Sequence, residues 1–188
     1  MTTNFKRTVA RGFTLIELLI VVIIVAILAA IVIPQFSAST NDAQLAALDA
    51  NLAAVRNAVE QYRGQHGGNV YPGANDATGA SDCVGGAAAA GATAGTEAAL
   101  LAQLTGYSND KGQVCKGPTP DKGYKYGPYL RVMPTESVGN LNTVTLITKT
   151  GAPITPDNKG GWAYDTVSGQ FIMNNSAEDP NKKAYSAH

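Results

Sequence analysis

Residues 13–33 read FTLIELLIVVIIVAILAAIVI, a stretch of 21 residues whose only charge is Glu17. From Leu18 to Ile33 the run holds 16 apolar residues without a break. A helix rises about 1.5 Å per residue, so the stretch would be roughly 30 Å long, enough for the hydrocarbon core of a bilayer. Each Leu, Ile, Val or Phe favours insertion by about 0.3–0.6 kcal/mol, and a carboxylate at mid-membrane costs about 3 kcal/mol. The aliphatic sum is the larger, so the segment is expected to insert. Residues 1–12, MTTNFKRTVARG, carry Lys6, Arg7 and Arg11 and no acid. Cations ahead of an apolar span place the N-terminus in the cytoplasm and the chain after Ile33 on the far side.

A cleaved secretory signal peptide shares the basic start and the apolar run. Three features oppose that reading. The run exceeds the usual 7–15 residues or so, a carboxylate sits near its start, and it leads into a helical pattern rather than a small-residue cut site. Glu17 itself has two readings. An ionisable group in an apolar span marks a function with a partner to be found, or it lies near enough to the membrane edge to snorkel or take up a proton.

Beyond the span the composition changes. The 188 residues contain 14 Lys plus Arg and 14 Asp plus Glu, and only 15% of the chain is charged. The zero formal charge argues against a nucleic-acid binder that works by neutralising phosphates. Two His and two Cys leave little material for a metal centre or a nucleophilic triad, so no enzyme is expected. Without residues 1–12 the balance becomes 11 cations against 14 acids, about -3.

Pro34 lacks an amide hydrogen, so a kink or local break is expected there. Leu45, Leu48, Leu52, Val55, Val59 and Tyr62 then recur at spacings of three and four. They form one apolar seam on a second helical stretch. Ala43, Ala46, Ala47, Ala50, Ala53, Ala54 and Ala58 add helix propensity, and Gly64, Gly67 and Gly68 end the helix. The seam is ordinary packing against the rest of the domain, with a coiled-coil partner as the lesser reading. The resulting helix of about 50 residues, roughly 75 Å, is apolar all round in its first half and on one stripe in its second. Such an element suits a bilayer and then a bundle of identical subunits.

Residues 64–95 read as a Gly- and Ala-rich loop, and VGGAAAAGATAG is not a phosphate loop because no Gly-Lys-Ser/Thr follows. A short helix is expected from about Thr96, its N-cap, to Leu104, anchored by Leu100, Leu101 and Leu104 and closed by Gly106. GYKYGPYLRVMPTE reads as an irregular crossing with Leu130 and Met133 inward. Strands are expected at Thr143–Lys149, Gly161–Thr166 and Gln170–Met173, the last two as a hairpin around residues 167–169. The fold class is therefore α+β, one long helix on a small antiparallel sheet, with residues 64–188 as the globular head. The tail, NSAEDPNKKAYSAH, reads as exposed and mobile.

RGFTLIELLIVVIIVAILAAIVIPQFS, residues 11–37, resembles the type III signal of type IV pilins and type II secretion pseudopilins. The likeness lies in a basic leader ending in Gly12, then Phe13, one acid at the fifth residue after the junction, an uninterrupted apolar run, and Pro34. The segments LTGYSNDKG, GPYL, GGWAYD and SGQF resemble pilin and pseudopilin heads over roughly residues 96–175. The resemblance implies a pilin-like lollipop. It implies cleavage between Gly12 and Phe13 by a prepilin peptidase, N-methylation of Phe13, and pairing of Glu17 with the Phe13 amine of a neighbouring subunit. It also implies a bacterial inner-membrane subunit with the N-terminus cytoplasmic. Its partners would be the bilayer, the assembly machinery and copies of itself in a helical homopolymer, with no nucleic acid. Cys83 and Cys115 are not spaced as a zinc or redox motif. Outside the cytoplasm a disulfide is their natural state, two free thiols being the alternative.

No cofactor is expected. Some pseudopilins hold calcium, and Asp157, Asn158, Asp165 and Asp179 offer oxygen ligands, but no EF-hand spacing exists and solvated turn acids are the preferred reading. His66 and His188 belong to no nucleophile motif. The Cys pair suits many pilins, whereas GPYL and GGWAYD lean toward pseudopilin heads. A membrane-tethered minor pilin, whose head is a ligand- or DNA-binding module, is the rival reading. An anchored hydrolase is the third.

Overall fold

The structure, a computed structural model, describes residues 13–79, 83–87, 92–148, 153–159 and 161–188, without the side chains of Pro34 and Ala38. It divides into two compact units, the first ending at Asp42 and the second running from Ala43 to His188. Helix α1, Leu15–Gln65, extends through both. It passes position 34 without interruption, so no break occurs there.

In the first unit every Leu, Ile and Val from Leu15 to Ile33 is exposed. The helix forms because its backbone bonds are satisfied within the segment, which is the condition for stability in lipid despite many β-branched residues. This is the one helix among the described residues long and apolar enough to cross a membrane.

In the second unit the seam behaves as its spacing requires. Leu48, Leu52, Val55, Val59 and Tyr62 are buried, and Leu45 is half-buried. The helix runs two residues past the expected end at Arg63. It stops where Gly67 and Gly68 take positive φ values of 83° and 80°. There the Gly68 amide donates to the Arg63 carbonyl at 2.9 Å, a closure that favours glycine.

Helix α2, Glu97–Thr105, starts at the Thr96 N-cap, whose hydroxyl accepts from the Ala99 amide at 3.2 Å. It buries Ala99, Leu100, Gln103 and Leu104. Strands β1, Tyr107–Ser108, and β2, Val114–Cys115, pair antiparallel. Strands β3, Val144–Ile147, β4, Trp162–Asp165, and β5, Phe171–Met173, form the main sheet. β4 and β5 are the expected antiparallel hairpin, with Trp162 opposite Met173. β3 lies parallel to β4, with Val144 opposite Trp162, so the small sheet has one parallel edge. The 14 positions between Ile147 and Trp162 are long enough for the crossover that parallel pairing demands.

The sheet packs on the second half of α1. Trp162, Tyr164, Phe171 and Met173 share one core with Leu48, Leu52, Val55, Val59, Leu100 and Leu104. Met133 is buried and Leu130 packs at its margin, as expected of the 123–136 crossing. The indole Nε1 of Trp162 donates to the Pro134 carbonyl at 2.9 Å, which fixes that crossing to the sheet.

The tail corrects the expectation. Residues 175–188 fold back as a small hairpin with a bridge between Glu178 and Ala184. The Asp179 carboxylate accepts from the Asn181 and Lys183 amides, each at 2.8 Å. Arg56 on α1 donates to the Phe171 carbonyl through Nε at 3.1 Å and Nη2 at 2.9 Å, and to the His188 carbonyl through Nη1 at 3.1 Å. Tyr185 packs against the core. A polar sequence looked mobile because its contacts to α1 come from residues more than 100 positions away.

Candidate functional site

The start of α1 holds the one carboxylate of the apolar segment. Gly12 lies outside the described residues. Phe13 is exposed, and Thr14 precedes the first helical residue. Glu17 Oε2 accepts from the Thr14 amide at 2.9 Å and from the Thr14 hydroxyl at 2.7 Å. The same hydroxyl accepts from the Glu17 amide at 3.3 Å. This is a capping box, in which a Thr and a Glu three residues on satisfy each other's backbone donors. It turns the only carboxylate of the span back to the helix start, one residue from Phe13. The sequence reading missed Thr14, although a Thr-x-x-Glu pattern before an apolar run is a recognisable signal.

The four candidate oxygen ligands are engaged in local turns and hairpins. Asp157 Oδ1 accepts from the Asn174 amide nitrogen at 2.8 Å and from the Lys159 backbone at 3.1 Å. Asn158 exchanges hydrogen bonds with Ser176 at 3.0 and 2.8 Å. Asp165 closes the β4–β5 turn through Val167 at 2.9 Å and Ser168 at 2.6 Å. Asp179 closes the 175–188 hairpin. Among the described residues no group of three or more His, Cys, Asp or Glu is placed to hold a metal.

Cys83 and Cys115 form a disulfide, their Cα atoms 5.4 Å apart. It ties the glycine-rich segment to β2, and Ala87 bridges to Cys115 beside it.

His66 and Ser108 are brought together, which no motif announced. The Ser108 hydroxyl lies 3.1 Å from His66 Nε2, and His66 Nδ1 lies 2.8 Å from the Tyr62 carbonyl. The imidazole stacks on Tyr62 with ring centres 3.8 Å apart. A carbonyl accepts only, so Nδ1 donates to Tyr62, and the Ser108 hydroxyl, which can donate or accept, partners Nε2. Ser108 has no exposed surface, so a substrate carbonyl cannot reach its Oγ. The pair is a packing contact that joins the end of α1 to β1.

Other buried polar groups missed in the sequence organise the second unit. Gln103 accepts from the Gly73 amide at 2.6 Å and donates to the Gly112 and Asn75 carbonyls at 2.8 and 3.2 Å. The buried Glu136 carboxylate accepts from Val138 at 2.6 Å, Gly139 at 2.7 and 2.8 Å, and Leu141 at 3.2 Å. Burial pushes the Tyr62 and Tyr164 phenols well above their ordinary range and Tyr129 up to about 12. None is available as a base.

A long N-terminal helix packed on a small sheet with an antiparallel hairpin, and a carboxylate at the head of an exposed apolar run, define a pilin-like architecture. The family defined by the prokaryotic N-terminal methylation motif matches residues 7–33. The type IV narrow pilus major component PilA5 of Thermus thermophilus is 55% identical over 49 residues, 26% of this chain and 42% of that protein. The type II secretion system core protein G of Pseudomonas aeruginosa is 36% identical over 58 residues, 31% of this chain and 41% of that protein. The chain thus spans less than half the length of these curated relatives. No solved structure matches. The chain carries the N-terminal methylation motif and is partially homologous to members of the type IV pilin and type II secretion pseudopilin family.

Proposed function

We propose that this chain is a structural subunit of a type IV pilus-like or type II secretion pseudopilus filament. A prepilin peptidase cuts between Gly12 and Phe13 and methylates the new amine. The subunit rests in the bacterial inner membrane through residues 13–33, with the N-terminus cytoplasmic and the head on the outer side. The assembly machinery then draws it into a helical homopolymer, with Pro34 as the point where the helix bends.

The observation that supports this reading is the first half of α1. Every large aliphatic side chain on it is exposed, so it must be covered by lipid or by other helices. One carboxylate sits at its start. In hydrocarbon an unpaired carboxylate and an unpaired ammonium are each costly. Pairing Glu17 of one subunit with the Phe13 amine of the next removes both costs and selects one register.

The test has two arms. Mass spectrometry of the native protein should read an N-terminal methylated Phe13, and an intact Met1 would reject the processing step. Replacing Glu17 with Ala should lower sheared filament yield at least about a hundredfold, the scale of breaking one buried ion pair, without altering head stability. Unchanged yield favours the rival reading, a tethered minor pilin whose head binds a ligand or DNA.

A further inference from the structure

The hairpin 175–188 is fastened to α1 at a point that carries three ionisable side chains. His188 Nδ1 lies 2.9 Å from Asp49 Oδ1 on α1, and His188 Nε2 lies 3.4 Å from Asp179 Oδ2 within the hairpin. The imidazole and Asp179 side chains are only 7% and 2% exposed, whereas Asp49 is 61% exposed. Nε2 is fully shielded and makes no hydrogen bond, its 3.4 Å approach to Asp179 being a charge contact only.

A carboxylate only accepts, and a neutral imidazole has one N–H. With one nitrogen facing Asp49 and the other facing Asp179, both contacts are attractive only when both nitrogens carry hydrogen. The neutral ring keeps one contact and turns a lone pair toward the other carboxylate. Asp179 is well suited to remain ionised, because the Lys183 amide, then the Asn181 amide and His188, hold its carboxyl below the ordinary range.

The surrounding groups reinforce this arrangement. From α1 the ring region meets Asp49 and the Arg56 guanidinium, which is committed to the Phe171 and His188 carbonyls. Glu60 lines the same groove, as do the neutral Ser168 and Gln170 of the β4–β5 turn. From the hairpin come Asp179 and the Tyr185 ring, its centre 6.4 Å away. Beside the ring two carboxylates face a single imidazole, and the nearby cation is occupied elsewhere.

We propose that Asp49, His188 and Asp179 form a proton-dependent latch that fastens the 175–188 hairpin to α1. Protonated, the ring bridges helix and hairpin. Deprotonated, the ring keeps its Nδ1 hydrogen on Asp49 and turns the Nε2 lone pair against the Asp179 carboxylate, and the hairpin opens locally while the core stays folded. The latch is a property of the second unit and does not depend on the filament reading.

The test uses the full chain in detergent micelles, with isotope-labelled histidine. The chain has two His, so His66 serves as the internal reference. At pH 5.5 the nitrogen spectrum of His188 should show both ring nitrogens protonated. Between pH 5.5 and 8.5, protection of amides 177–188 should fall about tenfold or more after correction for intrinsic exchange. That is the scale of one charge-assisted hydrogen bond. Asp49→Asn, at an exposed position that leaves the core intact, should abolish this pH dependence, and His188→Gln should do the same. Protection that is flat with pH in the wild type, a neutral His188 at pH 5.5, or an Asp49→Asn profile matching the wild type would each overturn the latch.

Discussion

Single residues here act mainly by settling backbone donors. Thr14 and Glu17 do so at the start of α1, and Glu136 does so in the loop that follows the 123–136 crossing. Thr14→Val keeps the shape of the side chain and removes its hydroxyl, so Glu17 loses one donor and the helix loses its cap. A lost cap costs about 1 kcal/mol. Amide exchange of residues 15–18 in micelles should therefore rise about fivefold, while Thr14→Ser restores protection. Glu136→Gln is a sharper change. The carboxylate accepts three amides through two oxygens, and an amide NH2 in place of one oxygen faces donors. Hydrogen bonds to charged groups contribute about 1.5–3 kcal/mol, so chemical denaturation should show a loss of about 2 kcal/mol. A loss below about 0.5 kcal/mol would mean the loop rearranges at little cost.

At the scale of elements, what could be read from sequence was whatever has a local period or a local cap. The three-and-four spacing from Leu45 to Tyr62 names the buried side of α1, and Thr96 with Gly106 brackets α2. The β4–β5 hairpin follows from strand patterns around Val167, Ser168 and Gly169. The disulfide followed from the compartment implied by the apolar span. Elements held by distant partners were not legible. The 175–188 hairpin depends on Arg56 and Asp49, which in sequence look like polar-face residues of α1. The parallel placement of β3 depends on a crossover whose direction leaves no local mark. Gln103 and Glu136 look like surface residues until the loops they anchor are in place. The seam itself makes a two-sided prediction. Leu52 is buried in the core shared with the sheet, so Leu52→Ala should cost about 2–5 kcal/mol of stability. Ala53 is exposed on the opposite face, and Ala53→Ser there should stay within about 0.5 kcal/mol. Equal losses at both positions would mean the stripe is not what holds α1 to the sheet.

At the scale of the molecule, the head has few charges, and several of its acids are tied into turns and hairpins. The Tyr126 hydroxyl and then Lys125 hold the Asp110 carboxyl below its ordinary value of 3.8. The Asn174 side chain and then the Lys159 amide do the same for Asp157, the Lys183 amide for Asp179, and Thr78 for Asp76. In each case the folded chain binds the proton less tightly than the unfolded chain does. The stabilisation is therefore present above the unfolded value of 3.8 and is lost as pH falls through the lower folded values. Because these four carboxylates lie on separate loops, they should contribute independently. Denaturant midpoints of the full chain in micelles should hold between pH 6 and 4.5 and then fall steadily toward pH 2. Asp110→Asn should lower the plateau slightly and make the acid slope shallower, since it removes one proton uptake from the transition. A midpoint that is unchanged down to pH 2 would show that these turns are held by their backbone geometry and that the carboxylates only decorate them.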